Sequence, residues 1–222
     1  MNADFSAIFA KYERLLAEAD ALFTRVREMH PDCVTCTQGC SDCCHALFDL
    51  SLVEAMYLNA KFAENMDFGP QRSGILSRAG DADREAYKIK KRIYRESEAG
   101  RDAAELLDEA AHERIRCPLL GDEGTCEMYG FRPITCRLYG IPTAINGKAH
   151  TCGKTAFVQG KPYPTVALDK IQDRLAALSE EITTLAQSRF KELHKVYVPV
   201  SMALLTKYDA TYLGIGPAKR ES

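Results

Sequence analysis

The sequence predicts a mainly α protein, in which a helical bundle encloses a cysteine-rich core built from loops, with one or two small β-hairpins. Two long segments, residues 4–29 and 165–194, carry apolar side chains every three to four positions, which is the period of an amphipathic helix. All nine cysteines lie between residues 33 and 152, in sequence interrupted by proline and glycine. Such interruptions are typical of loops, so we expect an irregular cysteine core that the helices support.

The composition favours one domain. With 222 residues, 46% of them hydrophobic, the chain is long enough to bury a core. We expect a single domain over 1–222, with a cysteine-cluster core at 33–152 and flanking scaffold helices at 4–30 and 165–205. The formal net charge of −2 gives no general attraction to nucleic acid or to an anionic membrane. We therefore expect neither of them as a partner.

Two further features bear on location. No stretch approaches the roughly eighteen uncharged apolar residues of a transmembrane helix. The N-terminal segment carries Asp4 and lacks the apolar run of a signal peptide. The sequence therefore predicts a cytoplasmic protein, and in a reducing cytosol clustered thiols are more often metal ligands or redox centres than disulfides.

The first half of the chain predicts helices around one irregular segment. After the helix at 4–29, the pattern Ser51-Leu-Val-Glu54 is a capping box that starts a second helix, which runs to about residue 65. Four glycine and proline residues within 67–80 predict a break, with room for one short helix. Charged helices are expected at 82–98 and 102–115.

The second half predicts a hairpin and a long helix. Asn146-Gly147 is a strong signal for a two-residue hairpin turn. The helix at 165–194 has the same apolar spacing as the helix at 4–29, so the two are expected either to pack lengthwise in one chain or to join two chains as a homodimer. Pro199 is expected to start a short last helix, and Gly214, Gly216 and Pro217 a loose tail.

The cysteines themselves indicate a metal centre. Five thiols fall within residues 33–44, which core packing does not require. Four thiolates can close a tetrahedral zinc site, and four can equally hold a [4Fe–4S] or [2Fe–2S] cluster. The spacing matches neither a zinc ribbon nor the cysteine run of bacterial ferredoxins. A radical S-adenosylmethionine enzyme fits the spacing of Cys36, Cys40 and Cys43 alone, but the chain lacks the strand–helix alternation of a β/α barrel.

Both cysteine blocks together resemble a known family. The pattern runs Cys36-x3-Cys40-Ser-Asp-Cys43-Cys44, Cys117-Pro-Leu-Leu, Cys126-Glu-Met-Tyr129-x2-Arg132-Pro133-x2-Cys136-Arg137 and a last Cys152. It is similar to the YkgJ-type cysteine-cluster family, also called the C-x-x-C-x-x-C-C domain that chelates zinc or iron, over roughly residues 36–152. The first gap here has three residues and Cys33 adds a C-x-x-C in front, which leaves open whether Cys33 or Cys36 is the first ligand.

The resemblance implies a function as well as ligands. Members of the family are taken to bind zinc or an iron–sulfur cluster, of which we favour [4Fe–4S]. A zinc-binding structural or interaction protein is one alternative. A cluster-dependent lysine N-methyltransferase that uses S-adenosylmethionine is another, because a relative with a similar domain methylates flagellin lysines. The implied metal ligands are Cys36, Cys40, Cys43, Cys44, Cys117, Cys126, Cys136 and Cys152.

Charged, imidazole and aromatic side chains near the cysteines are weaker candidates. Arg132 and Arg137 flank Cys136, where their guanidinium groups would offset the charge of a cluster, bind an anionic substrate, or fix the loops through backbone carbonyls. His45 and His150 would serve as replacement ligands or stay outside the site. Two tyrosines, at 129 and 139, are expected to pack over the centre.

Overall fold

The computed structural model describes residues 3–37 and 39–216. Within them, seven α-helices and five short strands form the regular structure. In chain order they are α1 (Ser6–Met29), β1 (Asp49–Ser51), α2 (Leu52–Asn65), α3 (Pro70–Glu98), α4 (Ala103–His112), α5 (Ile134–Leu138), β2 (Thr143–Ile145), β3 (Lys148–His150), β4 (Val166–Ala167), α6 (Leu168–Leu185), β5 (Tyr197–Pro199) and α7 (Val200–Leu205). The mainly α fold, with small β elements and cysteines in loops, is confirmed.

The main core lies between α1, α2, α5 and α6. Its side chains come from the apolar stripes of these helices, among them Tyr12, Leu15, Val53, Leu138, Leu175 and Ile182. Lys11 Nζ lies 2.6 Å from Glu181 Oε2, and Arg174 Nη2 lies 2.9 Å from Glu18 Oε1. Lys11 near the start of α1 thus contacts Glu181 near the end of α6, and Glu18 further along α1 contacts the earlier Arg174. The two helices therefore pack lengthwise and antiparallel in one chain. The predicted homodimer, whose contacts would lie outside these packed stripes, stays a prediction, as does the single-domain organisation.

A second core joins α2, α3 and α7, and it corrects one prediction. The break expected at 67–80 is wrong, because α3 begins at Pro70 and continues through Gly74 and Gly80 to Glu98. Proline suits the first helical position, where its missing N–H is not needed. The helix then buries Ile75, Ala79, Ala82 and Ala86 on one stripe. That burial outweighs the cost of about 1 kcal/mol for each glycine in a helix interior.

The C-terminal scaffold helix is shorter than expected. Instead of running to residue 194, α6 ends at Leu185. Gln187 adopts a φ of 49°, and its N–H donates to the Thr184 carbonyl while the Ser188 N–H donates to the Thr183 carbonyl, each at 3.0 Å. This pair of bonds is a Schellman motif, which satisfies the last carbonyls and stops the helix. Leucine spacing alone did not indicate this stop.

The β elements are two small sheets. β2 and β3 form the predicted hairpin, with Asn146 and Gly147 at φ values of 49° and 74° in its turn. β4 extends this sheet in parallel to β2, and β1 pairs antiparallel with β5 from far along the chain. The hairpin returns the chain toward residue 152. The loose tail expected from Gly214 is wrong for residues 214–216, because the Gly214 carbonyl accepts from the Arg189 N–H at 3.2 Å and Ile215 packs against the main core. Pro217 lies outside the described residues.

Over residues 3–37 and 39–216, no helix has both the length and the apolar character that crossing a bilayer demands.

Candidate metal centre

The first cysteine block folds as two consecutive turns after α1. The Cys33 N–H donates to the His30 carbonyl at 3.0 Å, and the Cys40 N–H donates to the Thr37 carbonyl at 3.0 Å. The Cys44 N–H then donates to Ser41 within a 3₁₀ turn at Asp42–His45. Four of the five cysteines of this block, all except Cys33, line the same cavity.

Backbone pairing joins the second block to the first. The Cys117 N–H donates to the Cys44 carbonyl at 2.7 Å, and the Ile115 N–H donates to the His45 carbonyl at 3.0 Å. Leu120 and Cys126 form an isolated bridge, so the chain doubles back and returns the Cys126 thiol beside Cys117. The convergence of the two blocks therefore rests on hydrogen bonds of the main chain.

The placement of Cys136, the third cysteine of the second block, depends on a buried carboxylate, that of Glu54. Cys136 lies in α5, whose first residue, Ile134, donates its N–H to Glu54 Oε1 at 3.2 Å. Glu54 Oε2 also accepts the N–H and the hydroxyl of Ser51, at 3.1 and 2.9 Å. Glu54 is 5% exposed, and burial raises its pKa. The capping box was predicted, but its second use, fixing α5 on α2, was not visible in the sequence.

Arg137 holds the loop before Cys136 against α1. Its side chain is 8% exposed and donates to the carbonyls of Arg132 and Gly130 at 2.8 and 2.6 Å, and it pairs with Asp20. Of the roles considered for Arg137, fixing loops through carbonyls is the one with contacts in the structure. A role toward a bound group stays a prediction.

Arg132 is placed differently. Its guanidinium carbon lies 3.7 Å from the centroid of the Tyr129 ring, and its Nε donates to the Tyr129 carbonyl at 3.1 Å. Tyr129 and Tyr139 both line the cavity, as expected of side chains that pack over the centre, but Tyr129 is 64% exposed, so its covering role stays a prediction. The ring supports Arg132 beside the thiols. A hydrogen bond from Cys44 and, against burial, the positive charge of Arg132 lower the pKa of Cys43.

The eight predicted ligands meet at one cavity of about 990 Å³. The cysteines in its lining are Cys36, Cys40, Cys43, Cys44, Cys117, Cys126, Cys136 and Cys152, together with both Arg132 and Arg137. Among the described residues, Cys33, His45 and His150 lie outside this lining. All nine cysteines lie within the described ranges and carry free thiols.

The eight thiols divide into two groups by their neighbours. Five form the inner group: Cys43, Cys44, Cys117, Cys126 and Cys136. Burial raises the pKa of Cys136 and raises that of Cys117 to about 12, and the remaining inner thiols act in the same direction. Three form the outer group: Cys36, Cys40 and Cys152. Burial, then the thiols of Cys40, Cys152 and Cys43, raise the pKa of Cys36 to about 11.

Gly140 lets Cys36 approach the wall of the cavity. Its φ is 100°, and a Cβ at this position would lie 2.3 Å from Cys36 Sγ. The Cys36 thiol reaches the Tyr139 carbonyl, with 3.6 Å between Sγ and the oxygen. The sequence showed a glycine after Tyr139 but not that a thiol packs on it.

We predict that Gly140→Ala displaces Cys36 and destabilises the fold. The left-handed backbone costs about 1–2 kcal/mol for a residue with a Cβ, and the overlap with Sγ adds to it. Urea unfolding of the purified variant measures the change. Gly153→Ala is the control, because a Cβ there meets nothing within 4 Å and the backbone φ is not left-handed. Equal stability of both variants would contradict the prediction.

The donor set fits a thiophilic metal group. Thiolates are the preferred ligands of zinc and of iron–sulfur clusters, and a thiol must lose its proton to become a ligand, which burial opposes at Cys136 and Cys117 by raising their pKa. Within residues 3–37 and 39–216, no three His, Cys, Asp or Glu side chains already stand around one point as an ion requires. The thiols line the walls of the cavity, so binding requires their side chains to turn inward.

Fold and site define a helical protein whose cysteines, from two distant blocks, line a single cavity suited to metal. Residues 35–153 match the family model CxxCxxCC, described as "Putative zinc- or iron-chelating domain". The match spans more than half of the chain, and the chain belongs to this family of metal-chelating domains. The resemblance drawn from the motifs is thereby confirmed. The comparisons with curated proteins and with solved structures gave no match.

Proposed function

We propose that the protein holds an iron–sulfur cluster, [4Fe–4S], through cysteine thiolates from both sequence blocks. The observation that carries the proposal is the number of thiols around one cavity. A single tetrahedral ion takes four ligands at about 2.0–2.3 Å, whereas eight thiols surround about 990 Å³ here. A polynuclear group suits such a space better than one ion.

The inner group supplies the ligands in this proposal. Cys43, Cys117, Cys126 and Cys136 come from separate turns and approach one another, and Cys44 lies beside Cys43. A bound cluster would supply one-electron transfer, at a potential that depends on charge and hydrogen bonds around its sulfurs. Arg132 would contribute positive charge there, and burial of the thiols would limit contact with water.

The location and partners form part of the same proposal. We propose a cytoplasmic location, because the nine cysteines carry free thiols and free thiols persist in a reducing compartment. A redox or protein partner of unknown identity would exchange electrons with the cluster. The homodimer predicted from the helical stripes would need other surfaces, because α1 and α6 already pack against each other.

Anaerobic purification followed by metal analysis tests the proposal. We expect broad absorbance near about 400 nm, together with iron and acid-labile sulfide in equal amounts. A colourless protein with zinc as its sole metal would overturn the cluster and establish the zinc-binding structural or interaction protein instead.

A second candidate is catalysis beside the cluster. The cavity continues past the thiols to an apolar wall that includes Leu47, Phe48, Ala82 and Ile115, and pockets for organic ligands are largely apolar. This space would accommodate an organic ligand, and the resemblance to a family with a flagellin-methylating relative makes S-adenosylmethionine the ligand to test. Calorimetric titration of the cluster-loaded protein with S-adenosylmethionine measures the affinity, and absence of binding at millimolar concentration would exclude this candidate.

A further inference from the structure

We propose that the outer part of the cavity is a second metal site, in which the Asp42 carboxylate joins three thiolates to bind one divalent ion such as Zn²⁺. The three thiolates are those of the outer group, Cys36, Cys40 and Cys152. The inference rests on the proposed function in one respect: it assigns the inner group of thiols to the cluster and uses only the outer group for the second ion. Neither the cysteine motif nor the family match points to Asp42 as a ligand.

The contact between Asp42 and Cys152 has the dimensions of a metal-bridged pair. Cys152 Sγ lies 3.2 Å from Asp42 Oδ2, as a thiol that donates to a carboxylate. An ion about 2.3 Å from sulfur and about 2.0 Å from oxygen, at a tetrahedral angle, separates the two atoms by about 3.5 Å. Replacing the shared proton by an ion therefore needs a movement of about 0.3 Å.

Tyr139 links this pair to Cys36. The Tyr139 hydroxyl donates to Asp42 Oδ2 at 3.1 Å, and the Tyr139 carbonyl accepts from the Cys36 thiol at 3.6 Å. Cys36 and Asp42 thus contact the same residue, one through its backbone and the other through its side chain. The turn closed by the Cys40 N–H on Thr37 returns Cys40 toward Cys36. Asp42, Cys36 and Cys152 are thus linked through Tyr139 and through one another, and their side chains, with that of Cys40, would turn toward one point when an ion binds.

Two cations orient the carboxylate and balance the site. Arg114 Nη2 lies 2.7 Å from Asp42 Oδ1, and Lys154 Nζ lies 3.7 Å from the same oxygen. They hold the second oxygen, Oδ2, toward the thiol. Four negative ligands around a doubly charged ion leave two negative charges, which the two cations match.

Zinc loading of the anaerobically purified full-length chain tests the site. The protein is incubated with Zn²⁺, excess ion is removed by gel filtration, and zinc, iron and sulfide are measured on the same sample. We expect one zinc per chain beside the cluster. X-ray absorption at the zinc edge should show three sulfur neighbours at about 2.3 Å and one oxygen at about 2.0 Å.

Asp42→Asn and Cys152→Ser are the informative variants. Each should weaken zinc binding by at least about tenfold, with iron and sulfide unchanged. Asp49→Asn and Cys33→Ser are matched controls that should keep the zinc. Asp49 is a carboxylate that pairs with a cation, Lys90, at 2.7 Å, as Asp42 pairs with Arg114 at 2.7 Å, and Cys33 lies outside the cavity lining. If Asp42→Asn fails to fold by circular dichroism, Cys152→Ser, at a half-buried position, decides the question.

Three results would overturn the second site. These are wild-type protein that retains no zinc, variants that keep full zinc affinity, and variants that lose iron and sulfide in parallel with zinc. Four sulfur neighbours without oxygen would exclude Asp42 specifically. Wild-type protein without iron or sulfide that still binds one zinc at three sulfurs and one oxygen would refute the cluster and leave this site standing.

Discussion

Cys136→Ser is expected to remove the cluster and most of the absorbance near about 400 nm. Cys136 lies deep in the inner group, where the neighbouring thiols of Cys43, Cys117 and Cys126 act on it after burial. A serine hydroxyl is a poor substitute for a thiolate toward iron, and metal binding is coupled to folding in such centres. Iron and sulfide per chain, measured after anaerobic purification, report the loss.

The matched control is Cys33→Ser. Cys33 is the remaining cysteine of the first block, it is partly exposed, and it lies outside the cavity lining among the described residues. The control should keep the full iron and sulfide content. Loss of the cluster in Cys33→Ser, or its retention in Cys136→Ser, would show that the inner group is assigned wrongly.

Glu54→Ala is expected to lower the free energy of unfolding by about 3 kcal/mol. The variant leaves two buried N–H groups, those of Ser51 and Ile134, without their acceptor. Each such group costs about 1–3 kcal/mol, and the capping interaction of α2 is lost as well. Because α5 would no longer be fixed on α2, the variant should also load less iron through Cys136. Denaturant unfolding and iron content measure the two effects.

An exposed glutamate on the same helix provides the control. Glu64 pairs with Lys61 at 2.9 Å and its side chain is 58% exposed, so Glu64→Ala should change stability by no more than about 0.5 kcal/mol. Glu54→Gln keeps one acceptor oxygen and should fall between the two. If Glu54→Ala matched Glu64→Ala, the carboxylate would not be what fixes α5.

Local signals predicted most of the fold, and the two failures, at α3 and at the end of α6, have different causes. Asn146-Gly147 specified its hairpin and the Ser51–Glu54 box specified the start of α2, because each acts through bonds within a few residues. The glycines in α3 led to the wrong prediction of a break, because the segment is held as a helix by the burial of Ile75 and Ala79 against distant elements. The end of α6 depends on a left-handed Gln187, a residue type that carries little turn signal.

For the site, the cysteine pattern identified eight thiols that the structure brings to one cavity. It could not identify Asp42, Glu54 or Gly140. Asp42 contacts the thiol of Cys152, more than one hundred positions away. Glu54 accepts the backbone N–H of Ile134. Gly140 leaves the space that the Cys36 thiol occupies. Contacts over such separations follow from the tertiary fold and leave no spacing in the sequence.

The backbone hydrogen bond between Cys117 and Cys44 also determines when the cavity can form during synthesis, because it needs residues from both cysteine blocks. The five thiols of residues 33–44 leave the ribosome first, and the residues of α2, α3 and α4 must follow before Cys117 emerges. At about 5–20 residues per second, that interval lasts about 4–15 s. During this time the early thiols are open to oxidation and to stray metal ions. We therefore expect the metal to bind after the second cysteine block has left the ribosome, when the complete cavity can select its metal.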